Sequence, residues 1–101
     1  MAISDVQVHS SWYYIIDDAG KKKASLPVST GELLGFGLDF FVLQHSSWYY
    51  TYDENGKKIA SIPVSTGDFK NAGGTSFNLI HGSWIYTFDK KCKKTGSRPA
   101  R

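Results

Sequence analysis

Three segments of this 101-residue chain recur at a spacing of 36 residues: HSSWYY at 9–14, HSSWYY at 45–50 and HGSWIY at 81–86. Aligned without gaps, 9–30 matches 45–66 at 16 of 22 positions, and 81–100 matches the second copy at 10 of 20. Such a period constrains the fold more than any composition does. Each copy must adopt the same local structure, and a unit too small to bury its own apolar face must be covered by a neighbour.

Each copy reads as a β-hairpin. In the second, Trp48, Tyr50 and Tyr52 alternate with Tyr49, Thr51 and Asp53, the period of a strand. Aromatic and β-branched residues suit a pleated, partly buried surface. Asp53-Glu54-Asn55-Gly56 then predicts a type I turn closed by a left-handed glycine. The return strand puts Ala60, Ile62 and Val64 on one face, and Pro63 marks an edge or strand end because it donates no ladder hydrogen bond. A further strand precedes each hairpin. Phe41 and Leu43 alternate with Val42, Phe77 and Leu79 stand at matching places, and Val6 and Val8 fit the same role if one residue is deleted before His9. Upstream again, Leu34–Leu38 reads as a fourth strand, whose counterpart at Lys70–Gly74 is weak. The chain is therefore expected to be one all-β domain of about three antiparallel meander repeats, at roughly 4–30, 31–66 and 67–101.

Units of this kind suggest propeller blades, and closed propellers have at least ~4 of them. Three repeats leave two arrangements open: blade-like sheets completed by oligomerisation, or a closed pseudo-threefold β-trefoil, prism or barrel. Exposed sheet edges and aromatic faces predict association, so a homo-oligomer is the expected partner state. The third copy departs from the others. Arg98 and Ala100 replace the Ile62 and Val64 equivalents, as a terminal repeat modified into a cap would. Cys92 replaces Gly56, so that turn either changes type or holds a strained residue.

SWYYTYDENGKKIASIP and SWIYTFDKKCKK resemble the hairpin repeats of small bacterial proteins built from W-x-Y-x-Y-D-x-x-G-K-K-I units, and they look like outer strands of β-propeller blades. The similarity covers residues 4–66 and 75–101. It implies a fold class and carries no catalytic signature.

Each recurring side chain has a chemical reading and a structural one. His9, His45 and His81 could meet at a threefold axis and hold a transition metal, or simply mark a strand bend. Trp12, Trp48 and Trp84 could stack on sugar rings, beside Tyr14, Tyr50 and Tyr86, with Asp17, Asp53 and Asp89 accepting from sugar hydroxyls. The structural reading makes the Trp–Tyr face the core, because large aromatics dominate burial. Tyr13 and Tyr49 then lie on the opposite face and are the candidates for solvent or interface contact. Lys21, Lys22, Lys57, Lys58, Lys93 and Lys94 could bind single-stranded nucleic acid, or keep hairpin edges soluble. The net charge of +3 permits attraction to acidic partners without requiring it, and nucleic acid is not the expected partner.

One cysteine, Cys92, excludes an intramolecular disulfide. No nucleophile, metal-protease, phosphate-loop or dinucleotide motif is present, so neither enzymatic activity nor a cofactor is expected. The amino terminus reads without a leader and no segment reads as a membrane span, which points to the cytoplasm. The expected function is a self-associating interaction or scaffold module. The alternatives are a lectin-like module with about one glycan site per repeat and, third, a basic single-stranded nucleic-acid binder.

Overall fold

The computed structural model describes residues 2–99. It is all-β and consists of three antiparallel meanders that follow the sequence period. Sheet 1 comprises β1 (Ile3–His9), β2 (Trp12–Asp17) and β3 (Lys22–Pro27). Sheet 2 comprises β4 (Glu32–Phe36), β5 (Phe40–His45), β6 (Trp48–Asp53) and β7 (Lys58–Pro63). Sheet 3 comprises β8 (Asp68–Gly73), β9 (Ser76–His81), β10 (Trp84–Asp89) and β11 (Lys94–Pro99). Single 3-10 turns, Val28–Thr30 and Val64–Thr66, link one sheet to the next.

The sheets do not close into a trefoil, prism or barrel. They stack face to face in chain order, as blades do, so the core divides in two. Between sheets 1 and 2 lie Val6, Tyr13 and Ile15, packed against Phe41 and Leu43. Between sheets 2 and 3 lie Phe40, Val42 and Tyr49, packed against Phe77, Leu79 and Phe88. β4 lies against both β1 and β8, so the strands that begin sheets 2 and 3 sit side by side.

This arrangement explains a contrast among equivalent strands. β5 carries the uninterrupted run Phe40-Phe41-Val42-Leu43, and all four residues are fully buried because sheet 2 is covered on both faces. Each such side chain contributes about 1.5–3 kcal/mol of burial. The end sheets alternate instead. In β9, Phe77 and Leu79 face inward while Asn78 takes the outward position that Val42 holds in sheet 2. In β1, Val6 faces inward while Asp5 and Gln7 hold the positions of Phe41 and Leu43. The deletion expected before His9 is therefore absent. His9 pairs with Trp12 as His45 pairs with Trp48, and the register runs unbroken from there back to Asp5. What differs is that the outward face of β1 has no preceding sheet to pack on among the described residues, and is polar.

The weak segment at Lys70–Gly74 does form a strand, β8, paired to β9 in the way β4 is paired to β5. Tertiary pairing overrides its glycines. Leu38 falls outside β4 and sits in the turn, where its N–H donates to the Gly74 carbonyl at 2.8 Å and its carbonyl accepts from Ile3 N–H at 2.5 Å. These bonds join the three sheets at the ends of their leading strands. β11 is exposed throughout its length. Ala100 lies outside the described residues.

Candidate functional site

The Trp–Tyr face is where the structure departs furthest from the sequence expectation. Trp12, Trp48 and Trp84 are 45%, 42% and 47% exposed. Tyr13 and Tyr49, expected in solvent, are buried at 7% and 3%. The cause is the stacking. Tyr13 and Tyr49 point at the following sheet, whereas the tryptophans sit at the rim, where even the inward-facing Trp48 and Trp84 stay open to water. The Tyr49 hydroxyl donates to the Gly67 carbonyl at 2.8 Å, and that of Tyr13 to Gly31 at 2.7 Å while accepting from Leu33 N–H at 3.2 Å. Burial raises the Tyr49 pKa. Each tyrosine thus fastens its sheet to the start of the next. The third copy has Ile85 here, with no hydroxyl to do so.

The tryptophans begin β2, β6 and β10, at the rim of each sheet beside a two-residue turn. The first turn residue has positive φ in every copy: 54° at Ser10, 59° at Ser46 and 62° at Gly82. That conformation suits a hairpin with glycine first, and only the third copy supplies one. The tight turn sets each histidine directly across from its tryptophan. Along the same face, exposure falls from Trp84 through half-buried Tyr86 to buried Phe88.

A lysine roofs each middle tyrosine. Lys22 Nζ stands 4.5 Å from the Tyr14 ring centre, Lys58 5.1 Å from Tyr50, and Lys94 4.7 Å from Tyr86. Cation–π attraction of this kind contributes roughly 0.5–1 kcal/mol at exposed positions. Of each lysine pair, only the second makes this contact; Lys21, Lys57 and Lys93 are exposed. His9 also stacks on Tyr14, with centroids 4.9 Å apart, and its Nε2 lies 3.1 Å from Gln7 Oε1.

At the seam between sheets 2 and 3, His81, Tyr86, Phe88 and Lys94 line a cleft of about 390 Å³ together with Ser65 and Thr66; Trp84 is not part of its wall. Sheet 2 gives the two hydroxyls from its linking 3-10 turn, and sheet 3 gives the rest. The repeat puts the same kinds of residue at the other seam: Ser29 and Thr30 in the first linking turn, His45 ending β5, Tyr50 and Tyr52 on β6, and Lys58 opening β7. No carboxylate lines the sheet 2–sheet 3 cleft.

The remaining candidates have structural employment. One oxygen of Asp53 accepts from Asn55 and Lys57 N–H, both at 2.9 Å, and closes its own hairpin turn. Asp17 and Asp89 do the same in theirs. The bond from Lys21 N–H to Asp17 is the main cause holding that carboxyl below its ordinary pKa. Among the described residues no group of three His, Cys, Asp or Glu is placed to hold a metal. The histidines belong to three stacked sheets rather than to one axis. Cys92 keeps the turn type of Gly20 and Gly56, with φ of 62° against their 78° and 81°, so the strained alternative holds. Its side chain packs against the second core cluster, 3.9 Å from Thr51 Oγ1, and burial pushes the thiol pKa up. That shift opposes a nucleophilic role.

A second, smaller cleft of about 230 Å³ lies by Asp39, Thr75, Asp89, Lys90 and Lys91, where Lys90 Nζ donates to Asp39 at 2.6 Å. Both partners are about two-fifths exposed, and pairs of this kind contribute little. No helix among the described residues is long and apolar enough to cross a membrane. The seam clefts were missed in the sequence because their two walls come from different repeats. The available signal was the invariant Pro-Val-Ser-Thr that follows each of the first two hairpins. The chain matches no protein-family model, no curated protein and no solved structure.

Proposed function

We propose that this protein is a non-enzymatic glycan-binding module that holds sugar at the seams between its stacked sheets. The observation carrying this reading is the exposure of three equivalent tryptophans in a fold that buries the neighbouring tyrosine. Leaving nearly half of an aromatic surface of ~200 Å² in water forgoes about 2 kcal/mol per site. Beside Trp84, the cleft at the sheet 2–sheet 3 seam adds what the polar edge of a sugar requires: hydroxyls, an imidazole and an ammonium. The aspartates are not part of this reading, because their turn bonds occupy them.

The test is a titration of the chain with an oligosaccharide panel, read by tryptophan fluorescence and calorimetry. Binding that quenches emission and weakens at least fivefold in Trp84→Ala supports the reading. Silence across the panel, with the fold intact, ends it.

A second reading, the self-associating scaffold, is favoured by two exposed apolar side chains, Val8 on β1 at 61% and Trp12 at the rim of sheet 1 at 45%. Light scattering that returns a monomer at high concentration removes it.

A further inference from the structure

The charge and composition of the seam cleft narrow the ligand, on the assumption that the glycan reading above holds. The cleft between sheets 2 and 3 presents the Lys94 ammonium, the exposed His81 imidazole and the Ser65 and Thr66 side-chain hydroxyls, with no carboxylate in its wall. Lys94 makes no ion pair among the described residues. Its contact is the Tyr86 ring, at 4.7 Å. The ammonium is held in place by an aromatic face that neutralises nothing, so its charge remains available to a ligand. Lys58 stands over Tyr50 at 5.1 Å in the same way, on the side of sheet 2 that faces sheet 1. A neutral sugar takes only hydrogen bonds from such a cation and leaves its charge unpaired. An acidic one would pair with it while its ring lies on Trp84, the exposed end of the aromatic strip.

We infer that the seams select anionic oligosaccharides, carrying carboxylate or sulfate, with Lys58 and Lys94 as the charge-reading residues. Stacked sheets stand on the order of 10 Å apart. Two equivalent residue sets this close would let one acidic chain engage both lysines, the second contact then being made at high effective concentration. Loss of one lysine therefore weakens a long ligand more than a short one.

The experiment is calorimetry on the full chain with three ligands of matched length: an oligogalacturonate, a sulfated heparin fragment and neutral maltohexaose. A single-stranded oligonucleotide serves as a polyanion without sugar-acid chemistry at its bases. The inference expects an acidic oligosaccharide to bind at least tenfold more tightly than maltohexaose, and the two acidic arms separate carboxylate from sulfate. It expects Lys94→Gln and Lys58→Gln each to weaken binding about fivefold, the effect of removing one exposed charge contact of about 1 kcal/mol. Lys70→Gln, on exposed β8 away from the cleft lining, leaves affinity unchanged. All three lysines are exposed, so the variants fold, and cooperative melting within a few degrees of the parent chain verifies this. Equal binding of maltohexaose overturns the charge selection and leaves the glycan reading standing. No binding by any oligosaccharide removes both. Tighter binding of the oligonucleotide, lost in Lys94→Gln, overturns the inference in favour of nucleic acid.

Discussion

Replacing Tyr49 by Phe isolates the bond that fastens sheet 2 to sheet 3. The ring stays and fills the same space, so no cavity opens. What disappears is one hydroxyl, 97% of whose residue's surface is covered, leaving the Gly67 carbonyl it reaches at 2.8 Å without that donor. Gly67 is itself buried, and the Phe69 backbone N–H, which works to lower the pKa of the same hydroxyl, loses that oxygen as a neighbour. Leaving a buried polar group unpaired costs about 1–3 kcal/mol. Two groups at the start of a strand, one of them able to relax, give an expected loss of about 2–3 kcal/mol. For a domain of this size each kilocalorie lowers the melting temperature by roughly 4–8 °C.

Urea unfolding measures the effect as a lower midpoint at unchanged slope. Hydrogen exchange localises it: the Phe69 amide should exchange faster in Tyr49→Phe while the amides of sheet 1 do not. Tyr13→Phe is the matched test at the other seam, with Leu33 as its reporter. The two losses should add within about 0.5 kcal/mol because the bonds sit in separate clusters. Tyr86→Phe is the control: Tyr86 is half-buried beneath Lys94, and its hydroxyl makes no bond of this kind. A loss below about 0.5 kcal/mol in both Tyr13→Phe and Tyr49→Phe would refute the idea that these hydroxyls fasten the stack.

Two further expectations follow from local geometry and from titration. Ser46→Gly should stabilise the fold by about 0.5–1 kcal/mol, since Ser46 holds φ of 59° where the third copy has Gly82, and the relief exceeds the entropy glycine adds to the unfolded chain; a lower urea midpoint would contradict it. Stability should decline as pH rises from about 9 past 10, because the raised pKa values of Cys92, Tyr49 and Tyr52 mean that the unfolded chain loses those protons first. Asp17 works in the opposite sense: its lowered pKa gives stability that is present above its unfolded value and is lost as pH falls through the folded one. A melting temperature flat from pH 8 to 11 would contradict the alkaline part.

The hairpins were legible because their determinants are local. Asp53 and Gly56 specify a turn within five residues, and Pro63 ends an outer strand as its missing N–H requires. Cys92 was legible as a conflict, and it is resolved by strain with packing on sheet 2. The faces were not legible, because a strand's alternation names two faces without saying which is covered. Trp48 and Tyr50 were assigned to the core on size, yet Tyr49 is the residue aimed at the next sheet. The pattern that would have decided it is Phe40–Leu43: four apolar residues without alternation mark a strand covered on both sides, and hence the middle of a stack.

The same comparison bears on where function can reside. The two outward faces are polar at positions where sheet 2 is apolar. Asp5 and Gln7 stand where Phe41 and Leu43 do, and Asp5 Oδ1 accepts from Val6 N–H at 2.9 Å. On sheet 3, Asn78 donates to Asn71 at 2.6 Å and accepts from Thr87 at 2.7 Å, forming a ladder that satisfies itself in water. Arg98 stands where Ile62 does. Faces built this way gain little from a further sheet, since packing one on them would strand those polar groups. Duplication carried the Trp–Tyr–Lys–His set to all three sheets, but among the described residues only sheets 2 and 3 meet it with the Ser-Thr turn of a preceding sheet. Sheet 1 therefore serves as the control within the molecule. If Trp84→Ala and Trp48→Ala weaken binding of an oligosaccharide and Trp12→Ala does not, the complete seam makes the site. If Trp12→Ala weakens it equally, an aromatic face alone suffices and the linking turns are only connections.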